Sequence, residues 1–252
     1  MSGAPFDHVY LSPHLDDAAF SCGGAIAGAR ARGERVLVVT VCAGIPGSEV
    51  VPPAFVEAVY RQAGLSAADV VRLRLEEDLR AMHLLDVEHQ WSEELDAILR
   101  SPDRYSTLLS LCGPVAQGEP LVAAAQKLAR TVAPGALLHA PLGAGSHVDH
   151  VVVSDAALSA GRPVVLYEDL PYAALDPNAV VRRLLELGED LVEVVTDISV
   201  TLGRKIAAVE CYGSQGGSAS RMTSLLEEYA GAVGAGVPSE RGFARPERRG
   251  AT

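Results

Sequence analysis

The 252-residue sequence predicts an α/β fold, a single Rossmann-like domain with a mostly parallel sheet and helices on both faces. Short β-branched runs alternate with segments of helical character, which is typical of consecutive βαβ units. Residues 35–42 are apolar almost without interruption, as expected of a parallel strand covered on both faces. No repeat or interdomain linker is visible, so we assign residues 1–215 to the core and 216–252 to a C-terminal extension and tail of the same domain.

The elements follow from local composition. Runs rich in valine, leucine and isoleucine predict strands at residues 8–11, 35–42, 135–141, 164–167 and 191–198. Apolar residues at helical spacing, or alanine-rich stretches, predict helices at residues 17–32, 72–85, 120–132, 151–160, 178–187 and 201–212. Glycines and prolines mark residues 43–53 as a loop. No element is predicted after Gly213, and residues 245–252 are expected to form a loose tail.

The charge and cysteine content exclude several classes of protein. A net charge of -11 and a pI of about 5.1 would repel nucleic acid and anionic membrane surfaces. The first residues lack the pattern of a signal peptide, and no apolar run is long enough to cross a bilayer, so we expect a cytoplasmic protein. Four widely spaced cysteines predict reduced thiols. Cys22 is interpreted as a packing residue rather than a metal ligand.

Two clusters of imidazoles and carboxylates follow predicted strands. The first contains His14 with the adjacent pair Asp16 and Asp17, and the second reads His147-Val148-Asp149-His150. Ligands collect at the carboxyl ends of the strands in open parallel sheets, so the two clusters are expected to meet. An aspartate pair after a strand can also serve only as a helix cap, but the presence of both clusters favours a metal site. We interpret His8, His83, His89 and His139 as structural or solvated.

The spacing predicts a role for each side chain. His14, Asp17 and His150 are expected to bind one metal ion and to leave a position for water, as in catalytic zinc sites. Asp16 is the candidate general base. His147 is expected to donate to the developing oxyanion or to the leaving amine, and Asp149 to orient a histidine. Zinc is the default metal, although the same ligands accept iron, cobalt or manganese.

At these residues the sequence resembles the PIG-L/LmbE-like family of zinc-dependent N-deacetylases. The resemblance implies removal of an N-acetyl or related N-acyl group from a small amino-sugar or glycosylated metabolite, with release of a free amine and acetate. It also implies that His147 assists the tetrahedral intermediate with Asp149 behind it, and that Arg74 and Asp96 contact the substrate. Two departures, Leu15 and Ala18 in the first motif, leave the substrate open, and N-acetylglucosamine derivatives or secondary metabolites are both compatible.

Other readings stay open at this point. The enzyme could be an amidase for a non-sugar amide of secondary metabolism. The Gly23-Gly24 pair could hold a nucleotide phosphate in a transferase. A catalytically inactive binding module is disfavoured because every proposed ligand is present. For partners we expect a small N-acylated substrate, a glycoside in the favoured reading, with no nucleic acid and no membrane; a homo-oligomer is compatible with the sequence.

Overall fold

The computed structural model describes residues 5–214 and 219–246, with seven strands in one sheet. The strands are β1 His8–Ser12, β2 Val36–Thr40, β3 Glu88–Trp91, β4 Leu137–Pro141, β5 Val164–Tyr167, β6 Val192–Asp197 and β7 Ser239–Ala244. The longer helices are α1 Asp17–Ala31, α2 Ala54–Ala63, α3 Ala67–Leu85, α6 Leu121–Thr131, α7 Val148–Leu158, α9 Pro177–Leu187, α10 Leu202–Val209 and α11 Ala219–Val233. Three single turns complete the set, α4 Ala97–Arg100, α5 Leu108–Leu111 and α8 Tyr172–Leu175.

The strand order places a topological switch at the centre of the sheet. The order is β3-β2-β1-β4-β5-β7-β6, and the first five strands of this order are parallel. The chain runs outward from β1 to β3 on one side and restarts with β4 on the other side of β1. Ligand sites in such sheets form where neighbouring strands lead in opposite directions, beyond their carboxyl ends. Here that position lies between β1 and β4.

The helices cover both faces, which confirms the predicted fold class. Helices α1, α3 and α10 pack together, while α6 and α7 pack together and α7 contacts β4 and β5. Right-handed crossovers in opposite directions from the centre place α1 and α7 on opposite faces. The inner strands are apolar on both sides, and Val9, Leu11, Val39 and Leu138 are fully buried. This core holds the ends of β1 and β4 in fixed register.

The C-terminal region differs from the prediction. Residues after Gly213 were expected to form no element, but they include α11 and β7, and β7 pairs antiparallel with both β5 and β6. The sequence of β7, SERGFA, lacks an apolar run, which explains the error. Arg245 pairs with Glu189 at 2.6 Å, whereas residues 247–252 of the predicted tail lie outside the described part. The boundary at 215/216 stays a prediction because it lies among residues that are not described.

A buried ion pair ties β7 to the helices. Lys205 Nζ of α10 lies 2.7 Å from Glu240 Oε1 of β7, and both side chains are buried. The same carboxylate accepts hydrogen bonds from Gly24 N at 2.9 Å and Ala25 N at 2.8 Å in α1. A buried charge is stable only when it is paired and hydrogen-bonded in this way. This contact makes β7 part of the core packing rather than an appendage.

Five further elements were not predicted, namely β3, α2 and the single turns α4, α5 and α8, and α3 begins earlier than predicted. Strand β3 has the polar sequence EHQW at the sheet edge, and α2 has no buried residues. Helix α3 begins at Ala67 rather than at residue 72, because Ser66 and Asp69 form a capping box. Within residues 5–214 and 219–246, none of the helices combines the length and apolar character needed to cross a bilayer.

Candidate metal centre

The first part of the site is the turn between β1 and α1. Ser12 Oγ accepts from Ala18 N at 3.0 Å and donates to the carbonyl oxygen of His14 at 2.7 Å. The backbone N of His14 donates to Asp17 Oδ2 at 2.8 Å. These bonds close the turn and fix the Asp17 carboxylate beside the imidazole of His14. Both side chains are buried, as expected for groups built into the sheet edge.

The second part is the start of α7. This helix was expected to begin at residue 151, but it begins at Val148, so His147 is the N-cap and His150 lies in the first turn. Gly145 precedes it with φ +84, and a Cβ there would lie 2.5 Å from the ring of Tyr172. That ring in turn meets His150 edge-on at 5.5 Å between centroids. The loop therefore needs glycine both for its backbone conformation and for this packing.

Three ligand atoms converge on one point. Asp17 Oδ2 lies 3.3 Å from His14 Nδ1 and 3.3 Å from His150 Nε2, and these two nitrogens are 3.2 Å apart. Ligand atoms held about 2.0–2.1 Å from a tetrahedral Zn²⁺ are separated by about 3.3 Å. The predicted ligand set is therefore brought together at the spacing that such an ion requires. His147 also has a nitrogen within 4.8 Å of ring nitrogens of His14 and His150.

Two buried carboxylates fix the tautomers of the ligand histidines. Asp149 Oδ2 lies 3.2 Å from His14 Nε2, and Asp169 Oδ1 lies 2.7 Å from His150 Nδ1. An ionised carboxylate can only accept, so in its neutral form each imidazole carries its single proton on the side away from Asp17. The nitrogens that face Asp17 then present lone pairs to one another. Three lone pairs at this distance repel unless a cation lies between them, so the donor set fits a metal ion.

The structure corrects the predicted place of Asp149. The family resemblance put this carboxylate behind His147, but its side chain lies behind His14, and only the backbone N of Asp149 contacts His147, donating to Nδ1 at 3.3 Å. Asp169 was not predicted in this role. It follows strand β5 as the predicted ligands follow β1 and β4, and that position is the signal that could have found it.

The predicted base and substrate residues lie around the same point. Asp16 Oδ2 lies 3.6 Å from an Nη2 of Arg74, and Asp96 Oδ2 lies 3.6 Å from His14 Nε2. Arg74 Nε is buried and has no hydrogen-bond partner among the described residues. Asp96 is the N-cap of α4 and accepts from Ile98 N at 3.2 Å. Both predicted substrate residues thus border the metal centre.

The environment gives the two adjacent aspartates different pKa values. Burial and the neighbouring charge of Asp17 raise the pKa of Asp16 to about 6. For Asp17 burial acts in the same direction, but the charges and hydrogen bonds of His150 and His14 prevail and lower its pKa to about 2. A carboxylate that stays ionised suits a metal ligand, and one that titrates near neutral pH suits a general base.

The pKa values of the three histidines in the site also differ. Burial opposes charge on His14 and His150, but Asp96 and Asp149 around the first and Asp17 and Asp169 around the second raise their pKa values. Burial, and then the charge of His14, lowers the pKa of His147 to about 3. His147 is therefore a neutral imidazole. Since its Nδ1 accepts from the backbone, Nε2 carries the proton and is a donor.

The alternative based on Gly23-Gly24 is contradicted. These glycines lie inside α1, where a Cβ on Gly24 would come within 2.7 Å of Ile198. The N–H of Gly24 is bonded to Glu240, so it cannot hold a phosphate. Cys22 is buried in α1 and lies within the main hydrophobic core.

The chain is similar to known proteins of one family. The sequence profile described as PIG-L, GlcNAc-PI de-N-acetylase, matches residues 9–161. The chain is 32% identical over 217 residues to a 2'-N-acetylparomamine deacetylase of Streptomyces fradiae, with 81% of this chain and 72% of that protein covered.

Solved structures extend the likeness to the whole fold. The zinc-inhibited form of teicoplanin deacetylase has 29% identity and a TM-score of 0.77, over 96% of this chain and 99% of that one. A deacetylase of the A40926 pseudoaglycone has 26% identity and a TM-score of 0.72, over 96% and 97%. An N,N'-diacetylchitobiose deacetylase from Pyrococcus horikoshii, at 19% identity and a TM-score of 0.57 over 94% of this chain and 82% of that one, shares the fold.

The profile covers more than half of the chain, and both sequence motifs converge in one buried centre. The predicted resemblance is confirmed, and the chain belongs to the PIG-L family of deacetylases.

Proposed function

We propose that this protein is a zinc-dependent N-deacetylase that removes an acetyl group from an amino sugar of a glycosylated metabolite. The observation that carries the proposal is the convergence of His14 Nδ1, His150 Nε2 and Asp17 Oδ2, each 3.2–3.3 Å from the other two. A divalent ion held by these atoms would act as a Lewis acid toward water and an amide carbonyl. The three ligands come from two elements that the fold fixes independently, so the site is preformed.

Asp16 is proposed to take the proton from the attacking water. Its carboxylate is next in sequence to the ligand Asp17 but contacts Arg74 instead of the ligand histidines. With its pKa raised to about 6 by burial and by Asp17, it can accept a proton near neutral pH and pass it to the leaving amine. Such a transfer completes hydrolysis, because the amide nitrogen must be protonated before the C–N bond breaks.

His147 is proposed to stabilise the carbonyl oxygen as negative charge develops on it. Its Nε2–H is the donor, because Nδ1 accepts from Asp149 N. The ring lies edge-on to His14 at 4.8 Å between centroids, which places it beside the ligand set. A neutral, preoriented donor of this kind contributes to catalysis without needing to be charged first.

Arg74 and Asp96 are proposed to bind substrate hydroxyl or amine groups. Arg74 offers a buried Nε–H without a partner among the described residues, and Asp96 offers a carboxylate at the edge of the centre. A cation and an anion on the rim suit a polar, hydrogen-bonding scaffold such as an amino sugar. Two relatives, a 2'-N-acetylparomamine deacetylase and a deacetylase solved in complex with teicoplanin, support a glycosylated metabolite. Homo-oligomerisation stays a prediction.

The test is acetate release with and without metal. Metal-stripped protein should release no acetate from a panel of N-acetylated aminoglycosides, N-acetylglucosamine glycosides and acetylated non-sugar amines. Re-addition of one equivalent of Zn²⁺ should restore release from the glycosides. His150→Ala should bind no stoichiometric zinc and stay inactive. Acetate release that is unaffected by chelation, or unchanged zinc content in His150→Ala, would contradict the proposal. Acetate release from the non-sugar amines alone would show that the substrate is not an amino sugar.

A further inference from the structure

The geometry points to Arg100 as a positioning residue for the metal ligand His14, acting through Asp149; this inference rests on the metal centre of the proposed function. Asp149 is fully buried and uses both carboxylate oxygens. Oδ2 contacts His14 Nε2 at 3.2 Å and accepts from Ala97 N at 2.9 Å, while Oδ1 accepts from Arg100 Nη2 at 2.6 Å. The orientation of the His14 ring therefore depends on groups contributed by α4.

Arg100 is itself held from the opposite side. Its Nε donates to Glu119 Oε1 at 2.8 Å, and its Nη1 donates to the carbonyl of Leu95. The Glu119 side chain is fully buried and also accepts from the hydroxyl of Tyr105. A planar guanidinium with three acceptors in fixed directions cannot rotate without losing one of them. A lysine ammonium could neutralise one carboxylate but could not span Asp149, Glu119 and the Leu95 carbonyl together.

The same contacts order the segment that carries a predicted substrate residue. Helix α4 is a single turn of four residues, Ala97–Arg100, which is too short to be stable alone. Asp96 is its N-cap, and Arg100 is its last residue. Both ends of the turn are attached to Asp149, one through Ala97 N and the other through the guanidinium. Arg100 thus fixes the ligand His14 and the position of Asp96 with one set of hydrogen bonds.

The hydrogen bonds of Arg100 and Asp149 lie beside the candidate metal centre, at the carboxyl ends of the parallel strands. Asp149 and its backbone lie in the first turn of α7, and Arg100 approaches from the connection between β3 and α6. A comparable guanidinium, Arg162, donates to the carbonyls of Val132 and Ala133 before β4, at the opposite end of the sheet. Arg162 therefore offers a matched control: it is partly buried and satisfies backbone acceptors, but it has no path to a metal ligand.

The test is Co²⁺ binding to metal-stripped protein, followed by calorimetry and by the visible spectrum of the bound ion. Arg100→Lys should weaken Co²⁺ binding 10- to 100-fold, the usual effect of losing a group that orients a metal ligand, and should change the band intensities. Arg162→Gln should bind Co²⁺ like the wild type, whatever its effect on thermal stability. With activity restored at saturating metal, Arg100→Lys should also raise KM, because Asp96 loses its fixed position.

A second variant tests the same role of Arg100 if Arg100→Lys does not fold. The double change Arg100→Met with Glu119→Met removes both buried charges together and leaves Asp149 bonded to His14 and Ala97; it should show a similar loss of affinity. Wild-type Co²⁺ affinity in either folded variant would overturn the role of Arg100 and leave the proposed function intact. Absence of stoichiometric Co²⁺ binding in the wild type, or equal binding by His150→Ala, would instead overturn the metal centre and both proposals with it.

Discussion

The role of Asp169 gives the sharpest test of how the metal centre is built. Asp169 Oδ1 accepts from His150 Nδ1 at 2.7 Å, and Oδ2 accepts from Gly143 N and Ala144 N at 2.8 and 2.9 Å. Asparagine has one acceptor oxygen and cannot satisfy both sides. If the oxygen stays with the backbone, the amide NH₂ faces His150 and forces the proton onto Nε2, the ligand atom. If it turns, two backbone donors lose their acceptor.

Asp169→Asn should therefore weaken metal binding 10- to 100-fold, which corresponds to about 1.4 to 2.7 kcal/mol. The assay is competition for Zn²⁺ against a chromophoric chelator at fixed pH. Glu168→Gln is the matched control, because the neighbouring Glu168 is also buried but pairs with Arg241 and Tyr229 away from the metal centre. Affinity within threefold of the wild type in Asp169→Asn, or an equal loss in Glu168→Gln, would refute the assignment.

Three further outcomes are expected. Asp16→Asn should keep metal affinity and lower kcat by about 10² to 10⁴; loss of the metal, measured by zinc analysis, would make Asp16 a ligand instead. Glu240→Gln should reduce the free energy of unfolding in urea by about 3–5 kcal/mol by leaving Lys205 unpaired in the core, and a loss below about 1 kcal/mol would show that the pair is dispensable. Burial, and then the charge of His8, lowers the pKa of His139 to about 3. Below about pH 6.5, His139 is therefore protonated in the unfolded chain but not in the folded chain. The neutral His139 therefore costs no stability above that pH, whereas at pH 5 it lowers the free energy of unfolding by about 2 kcal/mol. Between pH 7 and 5, the free energy of unfolding of His139→Gln should fall by about 2 kcal/mol less than that of the wild type. An equal fall in both proteins would contradict the lowered pKa of His139.

The convergence of the candidate ligands was predictable because residue type and position agree. His14 and Asp17 follow β1, and His147 and His150 follow β4, so the parallel sheet alone brings them to one edge. Short apolar runs located the strands that do this. The same reasoning predicted the fold class and the course of most of the longer helices, either from apolar residues at helical spacing or from alanine-rich stretches.

What escaped prediction depends on contacts between distant segments. Asp169 and Arg100 each make a hydrogen bond to a partner that lies 19 or 49 residues away in sequence, and such long-range contacts leave no local periodicity. Only the position of Asp169 after β5 was a usable signal. Strand β7 is held by pairing with β5 and β6 and by Lys205, rather than by its own composition. A polar strand in the interior of a sheet is stable only in that setting, so single-sequence reasoning interpreted it as irregular.

Electrostatics explains why this arrangement needs a cation. Helices α1 and α7 both direct their N-termini, which carry partial positive charge, toward the site. That field alone would repel a metal ion, yet the carboxylates of Asp17, Asp149 and Asp169 contact the candidate ligand histidines. Among residues 5–214 and 219–246, Asp149 is the one of these three that is paired with a guanidinium. The excess negative charge is buried, where water cannot screen it. Protons or a metal ion must therefore neutralise it, and both compete for the same lone pairs on His14 and His150. In the proposed metal centre, Asp17, Asp149 and Asp169 would therefore set the preference for a divalent ion together with the histidines.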